Sequence, residues 1–509
     1  MMGTKARSFA PLPSVSLEEL VPPDHFYRHL EHTLDLGFVR DLVRDAYADA
    51  GRPSIDPVVF FTLQLVLFFE GLRSERQLMR LVADRLSLRW SLGYDLSEAL
   101  PDHSSLSRIR ERYGLDVFRR FFEAIVEQCI AAGLVWGKEL YLDATKVAAN
   151  AALASRQPRF AVEAHLAHLF AVAEDDGDGD GGLASEGRDE PVRLPVTLTE
   201  AAQADLADRA AQRHDWIAHA GRPDRTVTRG THRRTADFRI STTDPDATPM
   251  PLGDGRTHLG YQDHYVVDGG RARIILTALA APAEVQENQP ALDLLWRARF
   301  RWKLQPSQVI ADTTYGTSEN IEAIEQEHIC AYFPLSEVGQ RVGMFGERDF
   351  VYDAAADTYR CPGGQTLRFL SDCQTTQRRI YAAPTAACRS CALKPQCTAS
   401  SRGRRVGRSR AEPYLDRVRS YHDTEAYAKA MRKRHVWVEP LFAEAKEWHG
   451  LRRFRLRGLE KVNGEAVLIA AGQNLKRLLS RRGWGRRPFP TGTAGIVLPA
   501  CPPTLTVIS

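Results

Sequence analysis

Two short β-type apolar runs each carry an aspartate with a threonine close behind it, and a third acidic residue sits far downstream on a strongly basic helical stretch. The runs are Glu139-Leu-Tyr-Leu-Asp143-Ala-Thr145 and Gln308-Val-Ile-Ala-Asp312-Thr-Thr-Tyr315. Glu439 follows Arg432-Lys-Arg-His-Val-Trp-Val438 and precedes Pro440. An aspartate at a strand terminus has its backbone held by the sheet, so its carboxylate is placed rigidly. Three such carboxylates can hold two hard cations about 3.5–4 Å apart against a phosphodiester. Taken singly, each aspartate reads as a turn or cap residue, as Asp244, Asp246 and Asp268 do in their Pro- and Gly-rich contexts. The matching context of Asp143 and Asp312 sets them apart, and it demands a sheet that brings two distant strands together.

The chain has 509 residues, too long for one ordinary domain, and 43% of them are hydrophobic, enough for real cores. No charge-free apolar run reaches the roughly 18 residues of a membrane span; Pro57–Phe69 stops at Glu70 and reads as a buried helix. The first residues lack the apolar core of a signal peptide, so a cytosolic, nucleoid-associated enzyme is expected. Net charge is only +4, but its distribution is uneven: between Arg402 and Arg487 there are 23 Lys and Arg against 9 Asp and Glu. A segregated basic segment is the electrostatic footprint of a polyanion.

Residues 1–136 read as helical. Asp56 precedes Pro57 at the start of the apolar helix, Ser74-Glu-Arg-Gln77 is a capping-box pattern for a helix through Leu88, and Asp102 caps a short helix followed by a longer one over Asp116–Ala132. Short helices with Ser and Arg on one exposed face suggest a helix-turn-helix, with an all-helical scaffold that makes no groove contact as the alternative; a DNA-binding or dimerisation domain is expected over residues 1–136. Residues 137–349 read as strand, hairpin around Asp268-Gly-Gly, helix over Gln286–Phe300, strand to Asp312, helix over Ser318–Glu327 and strand over Ile329–Phe333. This order predicts an α/β fold with a mixed sheet flanked by helices. Residues at about 155–255 are expected to be a partly disordered insertion, with a helix over Phe160–Val172 and an acidic run from Glu174. Residues 350–415 form a cysteine-rich insertion, 416–482 return to helix, and 483–509 read as a tail.

Five cysteines fall within 37 residues: Cys361, Cys373, Cys388, Cys391 and Cys397. A close pair plus two outlying thiols can supply four tetrahedral ligands, so Cys361, Cys388, Cys391 and Cys397 are expected to hold a structural zinc, with Cys373 the spare. Counted helically, Glu439, Lys446 and Arg453 share one face, which would set a carboxylate beside two cations. Glu444 and Glu447 are the nearest rivals to Glu439. Trp437, Trp448 and Phe454 flank this stretch and read mainly as core, with base stacking the alternative.

Tyr141-Leu-Asp-Ala-Thr-Lys-Val-Ala-Ala-Asn-Ala, Ile310-Ala-Asp-Thr-Thr-Tyr-Gly and Val438-Glu-Pro-Leu-Phe-Ala-Glu-Ala-Lys together resemble the DDE transposases of bacterial insertion sequences. Gly450-Leu-Arg-Arg-Phe-Arg-Leu-Arg-Gly, Asn474-Leu-Lys-Arg-Leu and Pro101-Asp-His-Ser-Ser-Leu-Ser-Arg extend the likeness over most of residues 50–480. The resemblance implies a ribonuclease-H-like fold in which Asp143, Asp312 and Glu439 bind magnesium or manganese. It makes Lys446 a DNA-contacting lysine, and Arg434, Arg453, Arg455 and Arg457 are the further DNA contacts expected. The chain departs from the pattern where an arginine usually lies four positions before the glutamate: His435 stands there, with Arg434 one step earlier. The implied activity is metal-dependent cleavage and strand transfer on double-stranded DNA, at terminal inverted repeats and target sites, by at least a homodimer. A ribonuclease-H-like nuclease that cuts without joining, and a silent DNA-binding remnant, are the alternatives.

Overall fold

The structure, a computed structural model, describes residues 16–47, 54–158, 239–335, 343–346, 349–373 and 378–484. The expected helix over Phe160–Val172, the acidic run after it and most of the tail lie outside these residues.

The N-terminal region is helical: α1 (Leu17–Leu20), α2 (Phe26–Thr33), α3 (Phe38–Leu42), α4 (Pro57–Phe69), α5 (Glu75–Asp84), α6 (Leu86–Leu92) and α7 (His103–Ala131). The Asp56 side chain accepts the Val58 N–H at 2.8 Å, with Pro57 at the position where its missing N–H costs nothing. Every residue of α4 from Phe60 to Phe68 is buried, as an all-round apolar helix requires. Ser74 caps α5 as expected, but the helix ends at Asp84 because Arg85 turns extended before α6 begins. Asp102 caps α7, and the two helices expected here are joined across Gly114 (φ 62°, ψ −177°). The Leu115 N–H beside that kink is satisfied by Glu460 at 3.1 Å.

A mixed sheet follows, built from β1 (Glu139–Ala148), β4 (Thr248–Pro251), β5 (Thr257–Asp268), β6 (Ile275–Pro282), β7 (Gln308–Ile310) and β8 (Cys330–Tyr332), with α8 (Ala291–Arg301) and α9 (Ser318–Gln326) in the crossovers. Two short strands, β2 (Arg156–Pro158) and β3 (Arg239–Ser241), pair where residues 159–238 leave and rejoin the chain. β1 is antiparallel to β5, and β5 to β6, with β4 continuing the β6 flank past Gly260. On its other side β1 is parallel to β7, and β7 to β8. The order β6-β5-β1-β7-β8, a meander followed by two parallel additions, is that of a ribonuclease-H-like sheet. The fold is therefore α/β with a helical N-terminal region, as read from the sequence.

The cysteine-rich stretch makes a separate antiparallel sheet from β9 (Val351–Asp353), β10 (Thr358–Arg360), β11 (Thr366–Cys373), β12 (Arg378–Ala382) and β13 (Arg405–Ser409), in the order β13-β12-β11-β10-β9. Between β12 and β13 lie α10 (Thr385–Arg389) and α11 (Lys394–Cys397). Four helices close the described chain: α12 (Glu412–Tyr421), α13 (Glu425–Trp437), α14 (Glu439–Trp448) and α15 (Leu459–Arg481).

One hydrophobic core runs from Tyr27 to Leu479 and unites the N-terminal helices, the large sheet and α15. α15 lies along the outer edge of β6. Asn463 there accepts the Ala280 N–H and donates to the Ala280 carbonyl, both at 2.9 Å; Asn474 does the same for Ile275 at 2.8 Å. The spacing explains the fit: eleven helical residues rise about 16.5 Å, and five strand residues span about the same. Among the described residues no helix is long and apolar enough to cross a membrane.

Candidate active site

Tyr141 on β1 pairs with Ile310 on β7 in parallel register. Asp143 and Asp312 each stand two residues beyond that pair, so alternation along neighbouring strands sends both carboxylates to the same face. Between them lies Arg434 of α13. Its Nη2 donates to Asp143 Oδ1 at 2.9 Å and stands 3.6 Å from Asp312 Oδ2. Arg434 and Asp143 are almost fully buried, whereas the Asp312 side chain is one-third exposed. Asp312 is also anchored locally: its Oδ1 accepts the Thr314 N–H at 2.8 Å, capping the 3₁₀ turn Thr313–Tyr315.

Burial pushes the Asp143 carboxyl up to about 6, with Arg434 opposing the rise and the Asp312 charge adding to it. Glu287 is a neighbour that sequence reading passed over. It sits in the loop after β6, because the helix expected from Gln286 starts only at Ala291. Burial, followed by the charges of Asp312 and Asp143, raises its carboxyl. Nothing in the local pattern marks this residue; only the sheet topology places it near the pair.

Glu439 is the first residue of α14, just past the break at Val438 that separates it from α13. Its side chain is half exposed and pairs with His435, one turn earlier, at 2.6 Å from Nδ1 to Oε1. No hydrogen bond or ion pair among the described residues joins it to either aspartate. The rival Glu444 has a different task. It bridges to Lys476 and to Arg477 at 3.0 Å on α15. Burial alone would raise this carboxyl, but the His449 hydrogen bond and the two cations hold it well below the usual range.

The expected basic residues divide. Lys446 donates to Thr145 Oγ1 at 2.5 Å, two residues along β1 from Asp143 and on the same face. Arg453 and Arg457 are exposed, each with its Nε on a carbonyl just beyond β1, Ala149 and Asn150 respectively, both at 3.0 Å. Arg455 instead reaches Glu75 at 3.1 Å, in a buried cluster with Arg110 and Ser107. The expected common face of Glu439, Lys446 and Arg453 does not form. α14 ends at Trp448, and the chain turns back so that Arg453 bridges Ala148 at the end of β1. Phe454 is fully buried, Trp437 donates to the Gly270 carbonyl, and Trp448 is 68% exposed. Cys361, Cys388, Cys391 and Cys397 line a common cavity in the cysteine-rich unit.

Residues 15–112 match the model of a transposase domain, DUF772, and residues 360–479 match that of a transposase DDE domain. Both matches are to transposase domains, and together they support a DDE transposase of an insertion sequence. In this transposase the first match covers the helices from α1 into α7, and the second runs from the cysteine-rich unit through Arg434 and Glu439 into α15. Asp143 and Asp312 fall between the two matches. No curated protein and no solved structure matches the transposase chain.

Proposed function

We propose that this transposase binds the terminal inverted repeats of its own element, hydrolyses a phosphodiester there and joins the freed 3′-hydroxyl to target DNA. The observation that carries the reading is the pair Asp143 and Asp312, each two residues past the paired Tyr141 and Ile310 of adjacent parallel strands and facing one buried arginine. Their oxygen donors, fixed by backbone and cap, suit a hard cation such as magnesium or manganese. Asp143 and Asp312 would hold such an ion, whose chemistry when bound would be to activate the attacking oxygen and steady the leaving one.

The chain's own residues do the rest. Arg434 holds the two carboxylates together, and Glu439, paired with His435 in this structure, would supply the third donor. Lys446, on the same face of β1 as Asp143, and the exposed Arg453 and Arg457 bear on the DNA backbone beside the cut. Two DNA ends must meet, so a homodimer on double-stranded DNA is the working assembly. The domain division expected from sequence assigns DNA capture to residues 1–136 and chemistry to the sheet.

Cleavage and strand transfer on end-containing oligonucleotides test the reading. Asp143→Asn, Asp312→Asn and Glu439→Gln are each expected to lose both activities, by roughly 10³-fold or more, while keeping DNA binding. Parental cleavage rates in any of the three would remove that residue from the site. Cleavage of an uncut end, with no strand-transfer products from a pre-cut one, would instead leave a nuclease.

A further inference from the structure

The cysteine-rich unit has little to hold it together. Its own apolar core consists of Phe350, Tyr359, Leu367, Tyr381, Ala383 and Val406, apart from the main core of the chain. So few buried side chains do not offset the conformational entropy of a five-stranded sheet, and natural units of this kind carry an additional staple.

The thiols converge where such a staple would sit. Cys361 follows β10 at the turn into β11, Cys388 lies in α10, Cys391 follows it, and Cys397 ends α11. All four line one cavity with Gly363 and Arg404. A side chain on Gly363 would stand 3.3 Å from Cys391 Sγ and 3.7 Å from Cys361 Sγ; one on Gly403 would stand 3.1 Å from Cys388 Sγ. Small residues thus leave the sulfurs room. The Gln365 N–H points at Cys361 Sγ from 3.2 Å, the kind of donor that favours a thiolate.

We propose that Cys361, Cys388, Cys391 and Cys397 bind one zinc ion as four thiolates, forming a structural site that staples the five-stranded unit. Binding exchanges the thiol protons for the ion and changes no oxidation state. Among the described residues no three His, Cys, Asp or Glu side chains already stand close enough together to hold a metal. The site therefore closes by rotation of the cysteine side chains about Cα–Cβ, within a cavity they already share. This zinc is separate from the aspartate pair and does not depend on the cation used there.

Elemental analysis of the full-length chain, purified under reducing conditions without chelator, is expected to give one zinc per chain. Cys361→Ser and Cys391→Ser should each lose most of it, while Cys129→Ser and Cys330→Ser keep it. Should the serine variants fail to fold, the parental chain still decides. Cobalt exchange should produce thiolate-to-metal charge-transfer absorption, and four thiols should resist titration until the metal is displaced. Parental protein without zinc, or with these cysteines paired as disulfides, would overturn the proposal.

Discussion

Arg434 is the residue whose role changed most between sequence and structure. In the sequence it is one cation in Arg432-Lys-Arg, a natural DNA contact; in the fold it is buried between two carboxylates. The difference is tertiary: α13 turns this one side chain inward, and no local pattern records that. Removing one partner of a buried ion pair is costly, since it leaves the other charge unpaired. Arg434→Met is expected to lower the unfolding free energy by about 3–5 kcal/mol. Urea denaturation should show part of that loss recovered when Asp143→Asn is added, because the unpaired charge is then gone. The raised Asp143 carboxyl gives a second outcome. A proton competes with a metal for this group below about pH 6. The magnesium concentration for half-maximal cleavage should therefore rise roughly tenfold per pH unit below that point, and change little above pH 7. The positions of Asp143 and Asp312 were legible because each interrupts or follows an apolar run of its own, although Asp143 lies in the middle of β1 and not at the strand terminus expected. Glu287 left none.

Among the elements, the legible parts were those specified by neighbours in sequence: the Asp56, Ser74 and Asp102 caps, the hairpin at Asp268, and the strands around both aspartates. Ends set by long-range contact were misjudged. α14 stops early because the following residues return to β1, so helical counting beyond Trp448 no longer applies. The motif around Asn474 also gains a physical meaning. Its amide substitutes for a missing strand at Ile275, a task that neither leucine nor aspartate can perform on both sides. Asn474→Leu would strand a buried N–H and a buried C=O, with an expected loss of about 2–4 kcal/mol. Thermal or urea unfolding checks this, and Asn474→Asp should cost less than Asn474→Leu because it still accepts the N–H.

Across the whole molecule, the two matched segments are fastened to each other. Glu75 of α5 holds Arg455 beyond α14, and Glu111 of α7 pairs with Lys461 of α15. The uneven charge of the sequence predicted a polyanion-facing region, yet the fold keeps part of that charge for itself. DNA affinity should fall steeply with salt, and Arg453→Ala or Arg457→Ala should each reduce the slope of log affinity against log salt by about one. Arg455→Ala should leave that slope unchanged and lower thermal stability instead; an equal loss of slope in all three would contradict the burial of Arg455. The asparagines on α15 bear on assembly as well. By occupying the free backbone groups of Ile275 and Ala280, they leave the β6 flank with no hydrogen-bonding ladder at those positions to offer another chain. In the homodimer proposed above, two copies would not merge their sheets along that flank. The proposed pairing would then draw on other surfaces and on the spacing of the DNA itself, which would tie it to the presence of both ends.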